Sequence, residues 1–372
     1  MSPFNKDVQA FFALVRAGLW EQDVQLAPLG QIDFNEVYRL AEEQSVVGLV
    51  AAGMEHVTDV KIPQDVVLTF VGDTLQLEQQ NSSLNSFIAK LIEKLREADV
   101  YAVLVKGQGI AQCYVRPLWR APGDVDLLLS DVNYEKAKKF LLPLATDVEQ
   151  EYKSFKHIGI TMKGGFMVEL HGTLHSRLSK RLDRGIDEAQ NDVFCGGGVR
   201  SWLNGSTQIF LPDANNDVIF VFTHILHHFY IEGIGLRQIC DWCRLLWTYK
   251  ESLNHGLLET RIRQMGLTSE WKSFAALAAD WLGMPSEAMP LYSSDRKCAK
   301  KAGYVVSFVL ECGNFGHNRE KVVANSYWGG KLNSSLRKIR DFGRHARIFP
   351  WDSVRFFFGF LRDGIGQAAR GE

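Results

Sequence analysis

Residues 123–129 read Gly123-Asp124-Val125-Asp126-Leu127-Leu128-Leu129, two acids one residue apart at the front of an apolar run. In an extended chain successive side chains point to opposite faces, so Asp124 and Asp126 share one face while Val125, Leu127 and Leu129 occupy the other. The spacing predicts a short strand with one buried side and one side that gathers negative charge. Like charges held close in a partly buried place repel, and a divalent cation is the simplest compensation. Oxygen ligands in such pairs favour Mg²⁺, which is bound by one or two carboxylates together with substrate phosphates. Standing alone, the pair also fits a turn after Pro122-Gly123 with Asp126 on a solvated sheet face; its surroundings decide between the two.

Upstream, Leu104-Val105-Lys106-Gly107-Gln108-Gly109 is a strand that ends in a glycine turn opening a helix, a geometry whose free backbone N–H groups suit a phosphate. Lys106 adds a positive charge there. Downstream, the alternation in Met167-Val168-Glu169-Leu170-His171 sets Glu169 beside His171 on one face, opposite Val168 and Leu170. A third acid therefore stands mid-strand, where β propensity does not choose it.

The wider chain has 372 residues, enough for two or three structural units and a sizeable core. Residues 1–98 read as helix after helix, with Leu77, Leu84, Phe87, Leu91, Ile92 and Leu95 at helical intervals. Residues 99–212 hold strand-like runs around 101–105, 124–129, 156–162, 165–171 and 207–211, with helices between. Residues 213–372 return to helices, beginning with the N-cap-like Asp213. The expected class is α+β: a core with a small mixed sheet, flanked by N-terminal and C-terminal helical regions. A formal net charge of −1 gives no reason to expect a long nucleic acid or an anionic membrane as partner. No apolar run approaches the roughly 20 residues that span a bilayer, and the N-terminus lacks the pattern of a secretory signal. The six cysteines are too sparse for a disulfide framework. A cytoplasmic location with reduced thiols follows as an expectation.

The set Leu104-Val105-Lys106-Gly107, Arg116-Pro117, Gly123-Asp124-Val125-Asp126-Leu127-Leu128 and Val168-Glu169-Leu170-His171 resembles an uncharacterised bacterial nucleotidyltransferase family of the polymerase-beta-like superfamily. Gly235-Leu236-Arg237-Gln238-Ile239-Cys240-Asp241-Trp242 is similar to a further recurring element of that family. The resemblance implies a nucleotidyltransferase core in which Asp124 and Asp126 hold Mg²⁺ or Mn²⁺ and Glu169 takes the place of the third carboxylate. It implies movement of a nucleoside monophosphate from an NTP, with ATP the first candidate, to an acceptor hydroxyl, releasing pyrophosphate. Lys106, Gly107, Gln108, Arg116 and Arg120 are the nucleotide-binding candidates. The superfamily normally follows the first glycine with Gly or Ser and keeps a shorter interval to the acids. Here Gln108 stands in that place, and Lys106, Arg116 or Arg120 would substitute for the missing hydroxyl, the arginine fork suiting phosphate bidentately.

Other constellations read more plainly. His224, His227 and His228 share one helix face and lack the clustered carboxylates or thiols of a zinc site, so a helix packed near the cleft is expected. Arg237 and Asp241 lie one helical turn apart; they are expected to brace the helical region against the core or to touch substrate, as are His171 and His224. Cys240 and Cys243 read as buried thiols, and Gly196-Gly197-Gly198 as a hairpin or loop. The basic stretch 331–347 and the aromatics after it read as a terminal helix docking on the helical region, with a peripheral membrane or nucleic-acid contact as the alternative. The acceptor is not legible: a small molecule, a sugar, a protein side chain and an RNA end all fit. A non-catalytic nucleotide-binding or scaffold protein is the alternative, and a phosphohydrolase using the same acids is a second one. Oligomeric state is equally open.

Overall fold

The computed structural model describes residues 4–231, 233–314 and 340–359. Four helices open the chain: α1 (Lys6–Trp20), α2 (Phe34–Glu43), α3 (Val47–Glu55) and α4 (Gln64–Glu97). The Asn5 side chain caps α1 by accepting from the Val8 N–H at 2.9 Å. α1 and α3 approach so closely that a Cβ on Gly18 would lie 1.9 Å from the Leu49 carbonyl oxygen, and one on Gly53 2.0 Å from that of Leu14. Only glycine fits either contact.

The central sheet is built from β1 (Val103–Val105), β2 (Val125–Leu128), β3 (Ala145–Val148), β4 (His157–Met162) and β5 (Phe166–His171) in the order β1-β2-β5-β4-β3. β2 and β5 run parallel and the other neighbours antiparallel, so the sheet is mixed. α5 (Gly107–Ala111) follows β1 and α6 (Asp131–Leu141) follows β2. One face of the sheet, carrying Leu104, Val125, Leu127, Leu129, Ile158, Ile160, Val168 and Leu170, packs on Leu84, Ile88, Leu91 and Leu95 of α4 and on Tyr134, Ala137 and Leu141 of α6. The other face is apolar at its β1 side, where Val103, Val105 and Leu128 join the helical core, and polar where Asp126, Glu169 and His171 stand.

After α7 (Lys180–Cys195) and the hairpin β6 (Val199–Asn204) with β7 (Thr207–Pro212), the chain is helical again: α8 (Ala214–Ile231), α9 (Leu236–Thr248), α10 (His255–Met265), α11 (Thr268–Asp280) and α12 (Arg296–Cys312). Residues of α1, α2 and α3 share a single apolar core with those of α8, α9, α11 and α12. Its centre is aromatic, with Phe222 stacked on Trp242 at 5.1 Å between ring centroids and Trp271 set edge-on to both at 4.6 and 4.8 Å. The helical ends that the sequence divides at residues 98 and 213 thus pack on each other. α4 is long enough, at 34 residues, to serve both cores: Val66 and Phe70 enter the helical one, Leu84 to Leu95 the sheet.

Two strands escape the sequence reading. β3 is an exposed edge with little apolar content, and β6 lies exposed and half-buried by turns, so neither announces a buried face. Helices at 340–348 and 350–359 carry the end of the described chain; Ile348, Phe349 and Phe356 are buried in the helical core while Trp351 is 82% exposed. The basic stretch at 331–339 and the aromatic tail beyond 359 lie outside the described residues. No helix among the described residues is long and apolar enough to cross a membrane, and all six thiols are free.

Candidate active site

A cleft of about 660 Å³ opens where the polar part of the sheet faces α8 and α9, a size that suits a nucleotide. Its sheet wall follows from register. Asp126 pairs with Val105 on one side and Glu169 on the other, and one step along, Leu128 pairs with His171 and His171 with His157. Side chains paired across neighbouring strands share a face, so Asp126, Glu169, His171 and His157 are gathered on one wall. Asp124 precedes β2 and lines the same cleft, exposed to its solvent.

Lys106 follows β1 and lines the cleft beside the acids. Its Nζ lies 2.7 Å from Asp126 Oδ1. Lys106 holds φ 58° and ψ −150°, and Gly107 follows at φ 43°. That backbone region is strained for a residue with a Cβ, by roughly 1–3 kcal/mol, and such strain persists where the surroundings hold the side chain in place. His171 Nε2 lies 2.9 Å from Asp126 Oδ1 and 3.3 Å from Glu169 Oε2, and His157 Nε2 is also 3.3 Å from Glu169 Oε2.

The charges shift one another as Coulomb's law requires. Burial opposes the Lys106 ammonium, yet Asp126, Glu169 and Asp124 outweigh it and raise its pKa. Burial also opposes the His171 imidazolium, and hydrogen bonds to Asp126 and Glu169 prevail and raise it. Burial likewise disfavours the Glu169 carboxylate, but hydrogen bonds from His157 and His171 hold it well below the usual range. Asp124 has no such help. Burial of its carboxyl end, then Glu169 and Asp126, push it up to about 6, against the pull of Lys106 and Arg237. Three acids therefore gather with one of them uncompensated, a donor set of carboxylate oxygens that suits a hard divalent cation.

The remaining candidates fall into three groups. Arg120 and Asp241 line the cleft but are engaged with each other in a buried fork, Nε to Oδ1 at 2.7 Å and Nη2 to Oδ2 at 2.8 Å, with the Tyr114 hydroxyl donating to the same carboxylate at 2.8 Å. Arg237 donates to the Ala121 and Pro122 carbonyls at 3.0 and 2.8 Å, holding the turn that delivers Asp124. Arg237 and Asp241, one helical turn apart, thus contact different partners in the 120–122 loop. His224 lines the cleft with its Nε2 3.0 Å from that of His228; burial and then the charge of Lys106 lower its pKa and keep it neutral.

Two nucleotide-binding candidates are directed elsewhere. Arg116 is absent from the cleft lining and pairs with Glu55, at 2.8 Å, and with Glu21. The Gln108 side chain is buried and donates to Asn81 Oδ1 at 2.5 Å, while Asn81 donates to the Leu118 and Arg120 carbonyls. The residue that departs from the superfamily pattern therefore ties α4 to the long connection before β2. The length of that connection and the identity of Gln108 are one feature: α5, the turn at Pro117–Trp119 and the Arg120 fork fill the interval. His157 escapes the sequence reading altogether. Its signal, a histidine opening a strand, acquires meaning only once β4 is paired antiparallel with β5.

The mixed sheet carries Asp126 on β2 and Glu169 on its parallel neighbour β5, with Asp124 just before β2 and the Gly107 turn just after β1. The family model of uncharacterised nucleotidyltransferases matches residues 30–283. The chain belongs to that family. No curated protein and no solved structure matches it.

Proposed function

We propose that the protein transfers a nucleoside monophosphate from an NTP to an acceptor hydroxyl, with ATP the first donor to try and with dependence on a divalent cation. The observation that carries this reading is the in-register pairing of Asp126 with Glu169 on parallel strands, with Asp124 and Lys106 on the same cleft wall. Asp124, Asp126 and Glu169 would hold Mg²⁺ or Mn²⁺, which supplies charge neutralisation for the triphosphate and for the leaving pyrophosphate.

The chain's own residues do the rest. Lys106 and the Gly107 turn meet the phosphates; Arg237 fixes the 121–122 turn and so the direction of Asp124. The acceptor oxygen bonds to the α-phosphorus as the bond to the bridging oxygen breaks, and pyrophosphate leaves. The acceptor proton passes to a cleft carboxylate, Glu169 or Asp124. His224, held neutral, offers a hydrogen bond to the acceptor from the α8 side.

One observation favours the second reading, a nucleotide-binding protein without chemistry: the Lys106 ammonium sits 2.7 Å from Asp126, where it neutralises a carboxylate that a cation would need. Calorimetry with each NTP and Mg²⁺, followed by assay of released phosphate species, tests both. Transfer predicts NTP binding that weakens at least about tenfold in Asp124→Asn, and release of pyrophosphate. Binding without pyrophosphate supports the second reading, orthophosphate a phosphohydrolase, and no NTP binding overturns all three.

A further inference from the structure

The cleft holds a second constellation, which shares only Glu169 with the carboxylate site and adds two histidines that site does not use. His157 opens β4, His171 closes β5, and the two are cross-strand partners; Glu169 lies on the same face two residues before His171. The imidazole rings stand 4.8 Å apart between centroids, tilted by 37°. The ligating atoms of His157, Glu169 and His171 all lie within 4.8 Å of one another, and each Nε2 is 3.3 Å from Glu169 Oε2.

We propose that His157, Glu169 and His171 form a binding site for a transition-metal dication of the Zn²⁺, Co²⁺ or Mn²⁺ class, distinct in ligand chemistry from the Asp124–Asp126 edge. Metal–nitrogen and metal–oxygen bonds of about 2.0–2.2 Å at tetrahedral angles separate the ligand atoms by roughly 3.3–3.5 Å. The two His–Glu separations already have that value, and the imidazole nitrogens lie within 4.8 Å of each other. Two imidazoles and one carboxylate are ligands that Mg²⁺ does not prefer and that first-row transition metals do. Three protein ligands leave a position open toward the cleft, where a substrate oxygen can enter. Asp126, 2.9 Å from His171 Nε2, stands beside the set as a further carboxylate.

Glu169 is shared with the proposed transfer site, so this inference rests on that reading to the extent that Glu169 ligates a cation. A titration separates the two. Full-length protein stripped with a chelator is titrated with Co²⁺ while visible absorption is recorded. The expected result is one Co²⁺ per chain with ligand-field bands of a low-coordinate site, displaced by equimolar Zn²⁺ but not by about a hundredfold excess of Mg²⁺. His157→Ala and His171→Ala are each expected to weaken Co²⁺ binding by about tenfold or more, while Asp124→Asn keeps it within about threefold. Pulsed electron paramagnetic resonance of the Mn²⁺-loaded wild type, which needs no variant to fold, is expected to show imidazole nitrogen coupling. Co²⁺ affinity unchanged in His157→Ala, displacement by Mg²⁺ at equal concentration, or absence of nitrogen coupling would each overturn the site. A chain that binds Co²⁺ through His157 yet releases no pyrophosphate from any NTP retains this site and loses the transferase reading.

Discussion

Two clusters of charge face the same cleft and are built on opposite terms. Arg120 and Asp241 are only 5% and 6% exposed at their side chains and meet as a two-pronged fork, completed by the Tyr114 hydroxyl. Lys106, Asp126, Glu169, His171 and His157 also touch, but by single contacts, and Glu169 and His157 are each 26% exposed. The first cluster is closed, its donors and acceptors aligned with one another. The second is open: solvent reaches Glu169 and His157, and Asp124 beside them is pushed up by burial and by Glu169 and Asp126. A buried ion pair contributes to stability only when its geometry is excellent, whereas an undersatisfied one has capacity for a ligand. The contrast gives the fork a structural role and makes the open cluster the place for the proposed chemistry.

Breaking the fork should have the largest effect. Arg120→Ala leaves Asp241 buried without its partner, and loss of about 3–5 kcal/mol of stability is expected in urea denaturation. A loss below about 1 kcal/mol would mean that the fork does not hold the 120–122 loop. Next comes another buried pair. Arg200 Nη2 lies 2.6 Å from Asp217 Oδ2, yet burial pushes Asp217 up to about 6 despite Arg200. An unfolded Asp titrates near 3.9, so the folded chain binds the extra proton between about pH 4 and 6 and stability falls as pH rises through that window. The wild type should lose about 2–3 kcal/mol across it relative to Asp217→Asn, whose curve should be flat by comparison.

At the open cluster the effect should fall on ligand rather than on folding. Glu169→Gln keeps a hydrogen-bonding side chain beside both histidines, so melting should shift by less than about 1 kcal/mol equivalent. Affinity for an NTP with Mg²⁺ should fall about tenfold, about 1.4 kcal/mol. Equal losses of stability and affinity would erase the distinction between the clusters. The smallest effect is expected from Gln108→Ala, which removes the donor to Asn81 Oδ1. It should cost about 1 kcal/mol in denaturation with nucleotide affinity unchanged, since the side chain points away from the cleft.

The same contrast separates what the sequence makes legible from what it does not. Alternation along one strand is local, so the buried face of Val125, Leu127 and Leu129, with Asp126 opposite, is legible, as is Glu169 beside His171, while Asp124 falls one residue before β2. Partnership across the chain is not legible. Arg237 and Asp241 are neighbours in sequence, but Asp241 answers to Arg120, on the loop before β2. Gln108 was visible only as a departure, because its partner Asn81 lies on α4. Arg116 carries the right group for phosphate, and nothing local says that Glu21 and Glu55 take it. His157 needed the β4–β5 register. The α+β class and the mixed sheet were legible because apolar periodicity changes between segments; β3 and β6, exposed and short of apolar residues, had no such signal.

The most direct test of the central claim is incubation of the full chain with α-labelled NTPs, Mg²⁺ and a cell extract as the source of acceptor, with pyrophosphate and label followed together. The account predicts one pyrophosphate for each nucleotidyl group transferred, and loss of both signals in Asp126→Asn and Glu169→Gln proteins that still melt as the wild type does. Release of orthophosphate, or equal transfer by those two variants, would contradict it.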